Sequence, residues 1–448
     1  MKRSITHSVL FGASASAFAL LFALVATGAS GCGGDDKKVN YPPKAEGDAG
    51  PQSGQVVTDN KGAEVAVTDV TSGLTGAAKE AYERGFKAWL EGDVAGAKKG
   101  FSEAAAADPK SPMPHYSLGV VLERTGDLSG AQQEYRSAFT AVPEHDLSIA
   151  AYALSLANSG HAGEAETFLN DKKSKLPSSP RILTALAEVK SQQKDHGTAQ
   201  TFAQDALRLN PDFKEAMVTV ARDHYRARKM DLAKYALKAI LDGFGESQPA
   251  RDPTNAEAHL IRGLIERESG QRAAAMKDFE AAFAKRPDMI EVLVQLGSMR
   301  LEAGNAAEAQ PLFEKALRYT QQNPLAHLNL GDCYRLAGRV SDAKKELDTA
   351  LAQDGTLAQA HYDLGLLYLF SPSVPGTNAN EQVATALKEF ETYKTMRGPK
   401  APPGTSDDID DLINKAKAKQ NELKNAASAA ATPPASGAPA ASGSAKPK

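Results

Sequence analysis

The chain has 448 residues, and its 52 Lys and Arg residues nearly balance 55 Asp and Glu residues, which leaves a net charge of −3. Nucleic-acid binding calls for a basic surface, and this balance gives no reason to expect one. No long run of like charge predicts binding to a membrane surface. Aromatic residues make up only 6% of the chain, a composition typical of an Ala-rich helical protein.

Residues 1–31 have the features of an export signal, with a positively charged start followed by an apolar segment rich in small residues. The segment ends in Ala29-Ser30-Gly31-Cys32. This ending resembles the bacterial lipobox, although the lipobox usually has Leu where this chain has Ala29. The resemblance implies that Cys32 is lipidated and becomes the first residue of the mature protein. The alternative is an ordinary signal peptide cut near Ala29, which would release a soluble protein.

Residues 32–77 are rich in Gly, Asp, Pro and Thr and show no helical period, which predicts a flexible tether after the lipidated cysteine. Gly33 and Gly34 follow Cys32, where an Asp would favour retention in the inner membrane by resemblance to enterobacterial sorting. We therefore expect an outer-membrane lipoprotein that faces the periplasm.

Residues 78–400 repeat with a period of 34 residues, apart from insertions near 242–255 and 371–380. The nine units start at Ala78, Pro112, Asp146, Pro180, Lys214, Ala256, Ile290, Pro324 and Ala358. Position 8 is always Gly or Ala, namely Gly85, Gly119, Ala153, Ala187, Ala221, Gly263, Gly297, Gly331 and Gly365. Position 20 is always Ala, namely Ala97, Ala131, Ala165, Ala199, Ala233, Ala275, Ala309, Ala343 and, after the second insertion, Ala386. Small residues at both positions predict two helices that approach closely.

The unit at 324–357 shows the motif clearly, with Leu330-Gly331 and Tyr334 in its first half and Ala343 and Ala350 in its second. This pattern resembles the tetratricopeptide repeat (TPR) family. The resemblance implies an all-α solenoid of about nine helix–turn–helix repeats in a right-handed superhelix. The Pro- and Gly-rich insertions are expected to be loops on one rim.

The TPR resemblance also implies a concave groove lined by positions 2, 5, 9, 12 and 13 of each repeat. A groove of this kind binds an extended or helical peptide of another protein. The alternative is that the aromatic residues at these positions pack between neighbouring repeats. The residues predicted to bind a partner are Tyr82, Phe86, Trp89, Tyr116, Arg222, Tyr225, Arg226 and Tyr362. Trp89 is the first choice among them, because it is the only tryptophan and Trp is common at binding hot spots.

The sequence predicts no metal site, cofactor or catalytic centre. His115, His259, His327 and His361 share position 4, but they lie in separate repeats and cannot converge on one ion. We interpret them as packing residues. Phosphate-loop, nucleophile-elbow and zinc-protease motifs are absent from the sequence, and the repeats occupy nearly all of the folded chain. We therefore expect a protein that is not an enzyme and binds neither nucleic acid nor a small-molecule substrate.

Residues 406–424 begin with a capping residue and an acidic first turn, and their apolar side chains lie on one helical face. This segment predicts a final helix that covers the exposed end of the repeat stack. Residues 425–448 consist mainly of Ala, Pro, Ser and Gly, which predicts a disordered tail.

These features together predict a membrane-anchored scaffold that holds envelope proteins together in a multi-protein machine. By resemblance, TPR lipoproteins of Gram-negative envelopes serve type IV pilus assembly or, in myxobacteria, gliding motility, and the long array with its Ala/Pro/Ser tail is most similar to the gliding-motility kind. One alternative is a periplasmic chaperone or pilotin that escorts an outer-membrane subunit. Another is a glycan-binding subunit that assists a cell-wall enzyme.

Overall fold

A computed structural model describes residues 73–398 and 408–431. The signal peptide, Cys32, nearly all of the predicted tether and the end of the predicted tail lie outside the described residues. The described chain divides into two compact units, with the boundary between Ala326 and His327. We describe each unit by itself.

Nine consecutive helix pairs make up residues 76–397, and each pair corresponds to one predicted repeat. Their bounds are α1 Gly76–Glu91, α2 Val94–Ala107, α3 Pro112–Arg124, α4 Leu128–Ala141, α5 Asp146–Asn158, α6 Ala162–Lys175, α7 Pro180–Gln192, α8 His196–Leu209, α9 Lys214–Arg226, α10 Met230–Leu241, α11 Ala256–Glu268, α12 Arg272–Lys285, α13 Ile290–Glu302, α14 Ala306–Tyr319, α15 Pro324–Leu336, α16 Val340–Gln353, α17 Ala358–Phe370 and α18 Ala379–Arg397. The predicted all-α solenoid is confirmed.

The first insertion differs from the prediction of a plain loop, because it forms a short antiparallel hairpin. Strand β1, Gly243–Gly245, pairs with β2, Gln248–Pro249. Gly243 has a φ of 72°, in the left-handed region that favours glycine. The ring of Phe244 lies 4.9 Å from that of Tyr235 on α10. This aromatic contact and the left-handed glycine explain why a Gly-rich insertion adopts an ordered turn.

The two helices of a repeat touch most closely at positions 8 and 20, as the sequence predicts. All nine position-20 alanines are at most 1% exposed. A third position, 24, completes the contact. In five of the six repeats with Gly at position 8, the side chain at position 24 lies over that glycine, and these pairs are Gly119–Tyr135, Gly263–Phe279, Gly297–Phe313, Gly331–Leu347 and Gly365–Phe390. Gly85 instead faces the backbone of Gly100 and Phe101. Where position 8 is Ala, position 24 is aliphatic, namely Leu169, Ala203 or Leu237. In this sequence the aromatic residues at position 24 thus occur with Gly at position 8, whereas Leu occurs with Gly331 as well as with Ala153 and Ala221.

This pairing predicts that Gly263→Ala destabilises the protein even though alanine is the better helix former. A Cβ at position 263 would lie 2.6 Å from Phe279 Cε1. Overpacking of this kind costs about 1–3 kcal/mol, which exceeds the gain of about 1 kcal/mol from helix propensity. We expect a lower urea midpoint for Gly263→Ala.

The control variant is Gly263→Ala with Phe279→Leu, which copies the native pair Ala221–Leu237. It is expected to recover most of the lost stability, measured by circular dichroism during urea unfolding. A single Gly263→Ala variant more stable than the wild type would contradict this prediction.

A final helix, α19, runs from Ile409 to Ala431 and packs against α18, as expected for a cap of the repeat stack. Ile409, Leu412 and Ala416 are buried in the contact. The helix continues past the predicted start of the tail at residue 425, so that boundary was wrong. The extra residues are Ala-rich and exposed where their side chains are described. High helix propensity extends the helix there without any packing.

Candidate partner-binding groove

The predicted groove residues of the first repeat lie at different depths. Tyr82 is only 2% exposed, and its hydroxyl lies 2.8 Å from Ser117 Oγ in the next repeat. Its ring packs 5.0 Å from that of Phe101. Phe86 is half-buried and packs against the same hydrophobic cluster. Tyr82 therefore joins repeats 1 and 2, and it offers a partner almost no surface in this conformation.

Trp89 is half-buried, and its contacts are with residues that lie far away in the sequence. The indole ring lies 5.0 Å from the ring of Tyr319, at the end of α14. The indole Nε1 donates to Asp288 Oδ2 at 3.4 Å, and the Tyr319 hydroxyl donates to the Trp89 carbonyl oxygen at 3.2 Å. The side chain proposed as the leading hot spot is thus partly covered by repeats 6 and 7 of the same unit.

Tyr116 of the second repeat is half-buried between Tyr135 and His145, whose ring centroids lie 5.8 and 6.3 Å away. Burial raises the pKa of the Tyr116 hydroxyl above its ordinary value. The neutral ring is the form that fits this apolar position.

Arg222 and Arg226 bind Glu188 of the preceding repeat. Arg222 Nη1 lies 2.8 Å from Glu188 Oε2, and Arg226 Nη2 lies 2.5 Å from Glu188 Oε1. Arg222 also pairs with Glu257 of the following repeat. Burial raises the pKa of Glu188, but the two guanidinium groups outweigh it and lower that pKa from 4.5 to about 2. The two arginines and this glutamate form a charge ladder across repeats 4, 5 and 6.

The charge ladder continues into repeats 6 and 7 through neighbouring groove positions. The Tyr225 hydroxyl donates to Glu268 Oε1 at 2.5 Å. Arg267, which precedes Glu268 in repeat 6, pairs with Glu302 of repeat 7. These contacts satisfy most of the charge that the sequence places in the middle of the groove, so in this conformation the groove charges join adjacent repeats.

The low pKa of Glu188 predicts an acid-sensitive loss of stability. Because the folded pKa lies below the unfolded one, the carboxylate stabilises the fold above about pH 4.5, and this stabilisation is lost as the pH falls towards 2. At about 1.4 kcal/mol per pKa unit the loss is on the order of 3 kcal/mol. Glu188→Gln should be less stable at neutral pH and should lack most of this loss.

The measurement is the urea concentration at the midpoint of unfolding, taken at several pH values from about 2 to 7. This range covers the folded and the unfolded pKa of Glu188. Glu164→Gln, at an exposed position of the same unit, is the control and should keep the wild-type pH profile. An equal acid loss in Glu188→Gln and the wild type would show that the charge ladder contributes nothing to it.

Tyr362 belongs to the second unit, whereas the other seven predicted residues belong to the first. Its hydroxyl donates to Asp408 Oδ1 at 2.9 Å, just before α19. Its ring lies 5.1 Å from that of Tyr393 on α18. Tyr362 thus joins the last repeat to the segment that leads into the capping helix.

Asp363, the next residue, is a buried acid 3% exposed. Burial, aided by the nearby charge of Asp332, raises the pKa of Asp363 well above its usual range, and Arg335 opposes this shift. Arg335 Nε donates to Asp332 Oδ1 at 2.8 Å, so one guanidinium serves two carboxyl groups. The arrangement favours a protonated Asp363.

We expect Asp363→Asn to stabilise the protein at pH 8. A raised folded pKa means that this acid contributes stability at low pH, which is lost as the pH rises through the pKa. The gain should be about 1.4 kcal/mol per unit of the shift. The gain should vanish below about pH 3, where the acid is protonated in both states because the ordinary pKa of Asp is 3.8.

Thermal midpoints at both pH values provide the test. Asp348→Asn, whose carboxylate is half-exposed on α16, is the control and should give no pH-dependent gain. A lower midpoint for Asp363→Asn than for the wild type at pH 8 would contradict the prediction.

The four position-4 histidines each bond one acid at position 23 of the same repeat. The Nδ1–carboxylate distances are 2.7 Å for His115–Glu134, 2.7 Å for His259–Asp278, 2.6 Å for His327–Glu346 and 2.6 Å for His361–Glu389. Within residues 73–398 and 408–431, no group of three or more potential ligands is arranged to hold a metal ion. The histidines therefore link the two helices of a repeat through a polar bond as well as by packing.

The residues that sequence reasoning missed are mainly the acids. Glu188 could have been found, because it lies one 34-residue period before Arg222 and has the opposite charge. The acids that bind His115, His259 and His327 could have been found from their constant spacing of 19 residues. Asp288 and Tyr319 gave no signal, because they lie 199 and 230 residues from Trp89.

Comparisons with known proteins agree with this architecture. Tetratricopeptide-repeat family models match residues 88–146 and 300–365. No curated protein sequence matches the chain. In none of the described helices are length and hydropathy sufficient for a membrane span.

Among solved structures, the chain is similar to one of the APC/C hetero-tetramer Cut9–Hcn1, with a TM-score of 0.51 and 17% identity over 72% of this chain and 59% of that one. It is also similar to PilF of Pseudomonas aeruginosa, with a TM-score of 0.40 and 18% identity over 55% of this chain and 97% of that one. A third similar structure is that of PilW, a type IV pilus biogenesis factor, with a TM-score of 0.34 and 20% identity over 48% of this chain and 91% of that one.

The helix pairs, the repeat motif and the family models together define a TPR solenoid. Solenoids of this class expose extended surfaces that bind other proteins. Residues 88–146 and 300–365 thus carry tetratricopeptide repeats within an all-α solenoid.

Proposed function

We propose that the protein is an envelope scaffold, anchored to the outer membrane through a lipid on Cys32, that holds several proteins of one machine together. The observation that carries the proposal is the series of nine repeats from α1 to α18, followed by α19. Stacked repeats within a unit supply an extended binding surface.

The anchor is supported by the lipobox-like sequence Ala29-Ser30-Gly31-Cys32 and by the Gly-rich, polar segment that follows it. A tether of this composition behaves as a flexible linker, which would let the repeats reach partners away from the membrane. We infer that the repeats face the periplasm. The machine is a gliding-motility or type IV pilus assembly, a choice supported by the resemblance of this domain order to TPR lipoproteins of Gram-negative envelopes.

The experiment is a crosslinked pull-down of the full-length protein from separated inner and outer membranes. We expect the wild type in the outer membrane together with several stable envelope proteins, and we expect Cys32→Ala to lose both. Cys333→Ala is the matched control, because Cys333 is buried in α15 and only 1% exposed. It should behave as the wild type.

Two results would overturn this proposal. A wild-type protein that is soluble in the periplasm would remove the lipid anchor. Capture of a single nascent outer-membrane subunit, absent from the finished complex, would show that the role is that of a chaperone or pilotin.

A further inference from the structure

The first two repeats touch the sixth and seventh repeats of their own unit, although at least three repeats lie between them in the chain. Trp89 lies against Tyr319 and Asp288, as described above. Arg124, at the end of α3, pairs with Glu291 at the start of α13, with Nη1 and Oε1 3.4 Å apart. The ends of α1 and α3 thus meet the loop between α12 and α13 and the end of α14. We call these contacts the clasp.

Asp288 lies at the centre of the clasp. It is 8% exposed, and both of its oxygens accept from Arg286 at 2.8 Å. Burial raises the pKa of Asp288, but the hydrogen bonds and charge of Arg286 more than offset this, so the pKa lies below its ordinary value. Asp288 is therefore a fixed carboxylate that accepts a hydrogen bond from the Trp89 indole N–H, and the positive charge of Arg124 also stabilises it.

The core of the first repeats is complete without the clasp. Their hydrophobic cluster draws its buried members from Leu74 through Tyr152, and the partly buried residues packed on it extend only to Phe168. No member comes from repeats 6 or 7. The cluster is held by contacts between neighbouring helices, whereas the clasp rests on one aromatic pair, two hydrogen bonds and one surface ion pair. Opening the clasp would leave the cluster of the first repeats intact, and it would expose Tyr319, which is 0% exposed in the closed form.

The clasp also covers the groove face of the first repeats. Trp89 at position 12 is one of the predicted groove residues. Arg286 lies close enough to Tyr116, another predicted groove residue, for its positive charge to lower the pKa of the Tyr116 hydroxyl. The Gly126 backbone lies beside the Gln322 side chain, so the second repeat takes part as well. Atoms of this chain thus occupy space where a partner of the first two repeats would sit.

We propose that the clasp is a reversible closure of the first unit, and that its opening controls access to the groove face of repeats 1 and 2. The clasp goes beyond the scaffold role and does not depend on the partner, the membrane anchor or the machine. It makes the first unit a two-state element, because the helices stay folded in both states and only the long-range contacts change.

Trp89 is the only tryptophan in the chain, so the fluorescence comes from the clasp residue itself. Trp89 also packs on the cluster of the first repeats, so helicity is followed in parallel. The measurement is acrylamide quenching of the full chain in detergent, beside helicity from circular dichroism. Arg124→Glu should open the clasp, because the new carboxylate would face Glu291 and Asp288. We expect quenching to rise roughly twofold and the emission to shift to the red, since the attraction of an exposed pair becomes a repulsion.

Two further variants control for side effects. Arg124→Glu with Glu291→Arg restores opposite charges and should return quenching to the wild-type level. Lys87→Glu makes the same charge change on α1, at an exposed residue outside the clasp that pairs only with Glu91, and should leave quenching unchanged.

Unchanged quenching in Arg124→Glu at wild-type helicity would overturn the proposal, and so would equal quenching in Arg124→Glu and Lys87→Glu. Should Arg124→Glu lose helicity, salt titration of the wild type decides instead. Towards about 1 M NaCl, where the screening length falls to roughly 3 Å, quenching should rise at constant helicity. No rise would show that the contact is fixed packing and not a clasp.

Discussion

The close approach of the two helices within each repeat is the constraint on which the rest of the structure depends. Alanine at position 20 is buried in all nine repeats, and position 8 accepts nothing larger than alanine. The side chain at position 24 then fills the volume that position 8 leaves. Because this contact is local, each helix pair forms from its own residues, and stacking completes the core between pairs. The charges and aromatic rings of the groove are added to an already determined framework.

The groove of the first unit is largely occupied by its own side chains. Arg222 and Arg226 share Glu188, and Trp89 is covered by Tyr319 and Asp288. A partner must therefore exchange contacts with this surface, since few groove charges are left without a partner of their own. Such exchange favours specificity over affinity, because a ligand that does not replace the lost ion pairs leaves buried charges unpaired. A scaffold that binds selected proteins gains from this property.

The sequence predicted the helix pairs because their determinants recur every 34 residues and act over short distances. It did not predict the hairpin at Gly243–Gly245, since two strands of that length have no periodicity to detect. The end of α19 was missed because Ala-rich sequence fits both a tail and an exposed helix. The contact of Trp89 with Asp288 depends on the small rotations between successive repeats, which add up from repeat 1 to repeat 6. The pattern of a single sequence does not give the size of these rotations. The sequence thus predicted which positions of each repeat contribute to the groove, but not the hydrogen bonds and ion pairs that their side chains make.

The pairing of positions 8 and 24 also bears on how such an array can evolve. A repeat with Gly and Phe, such as that of Gly263, needs two changes to become one with Ala and Leu, and their order matters. Gly→Ala first would clash with the ring, whereas Phe→Leu first gives the combination that Gly331 and Leu347 form in repeat 8. Whole repeats can be duplicated with both residues intact, but recombination inside a repeat, between α11 and α12 for example, would combine mismatched halves. Crossovers in the loops between repeats keep each matched pair together, so the repeat itself is the smallest segment that can be exchanged without loss of packing.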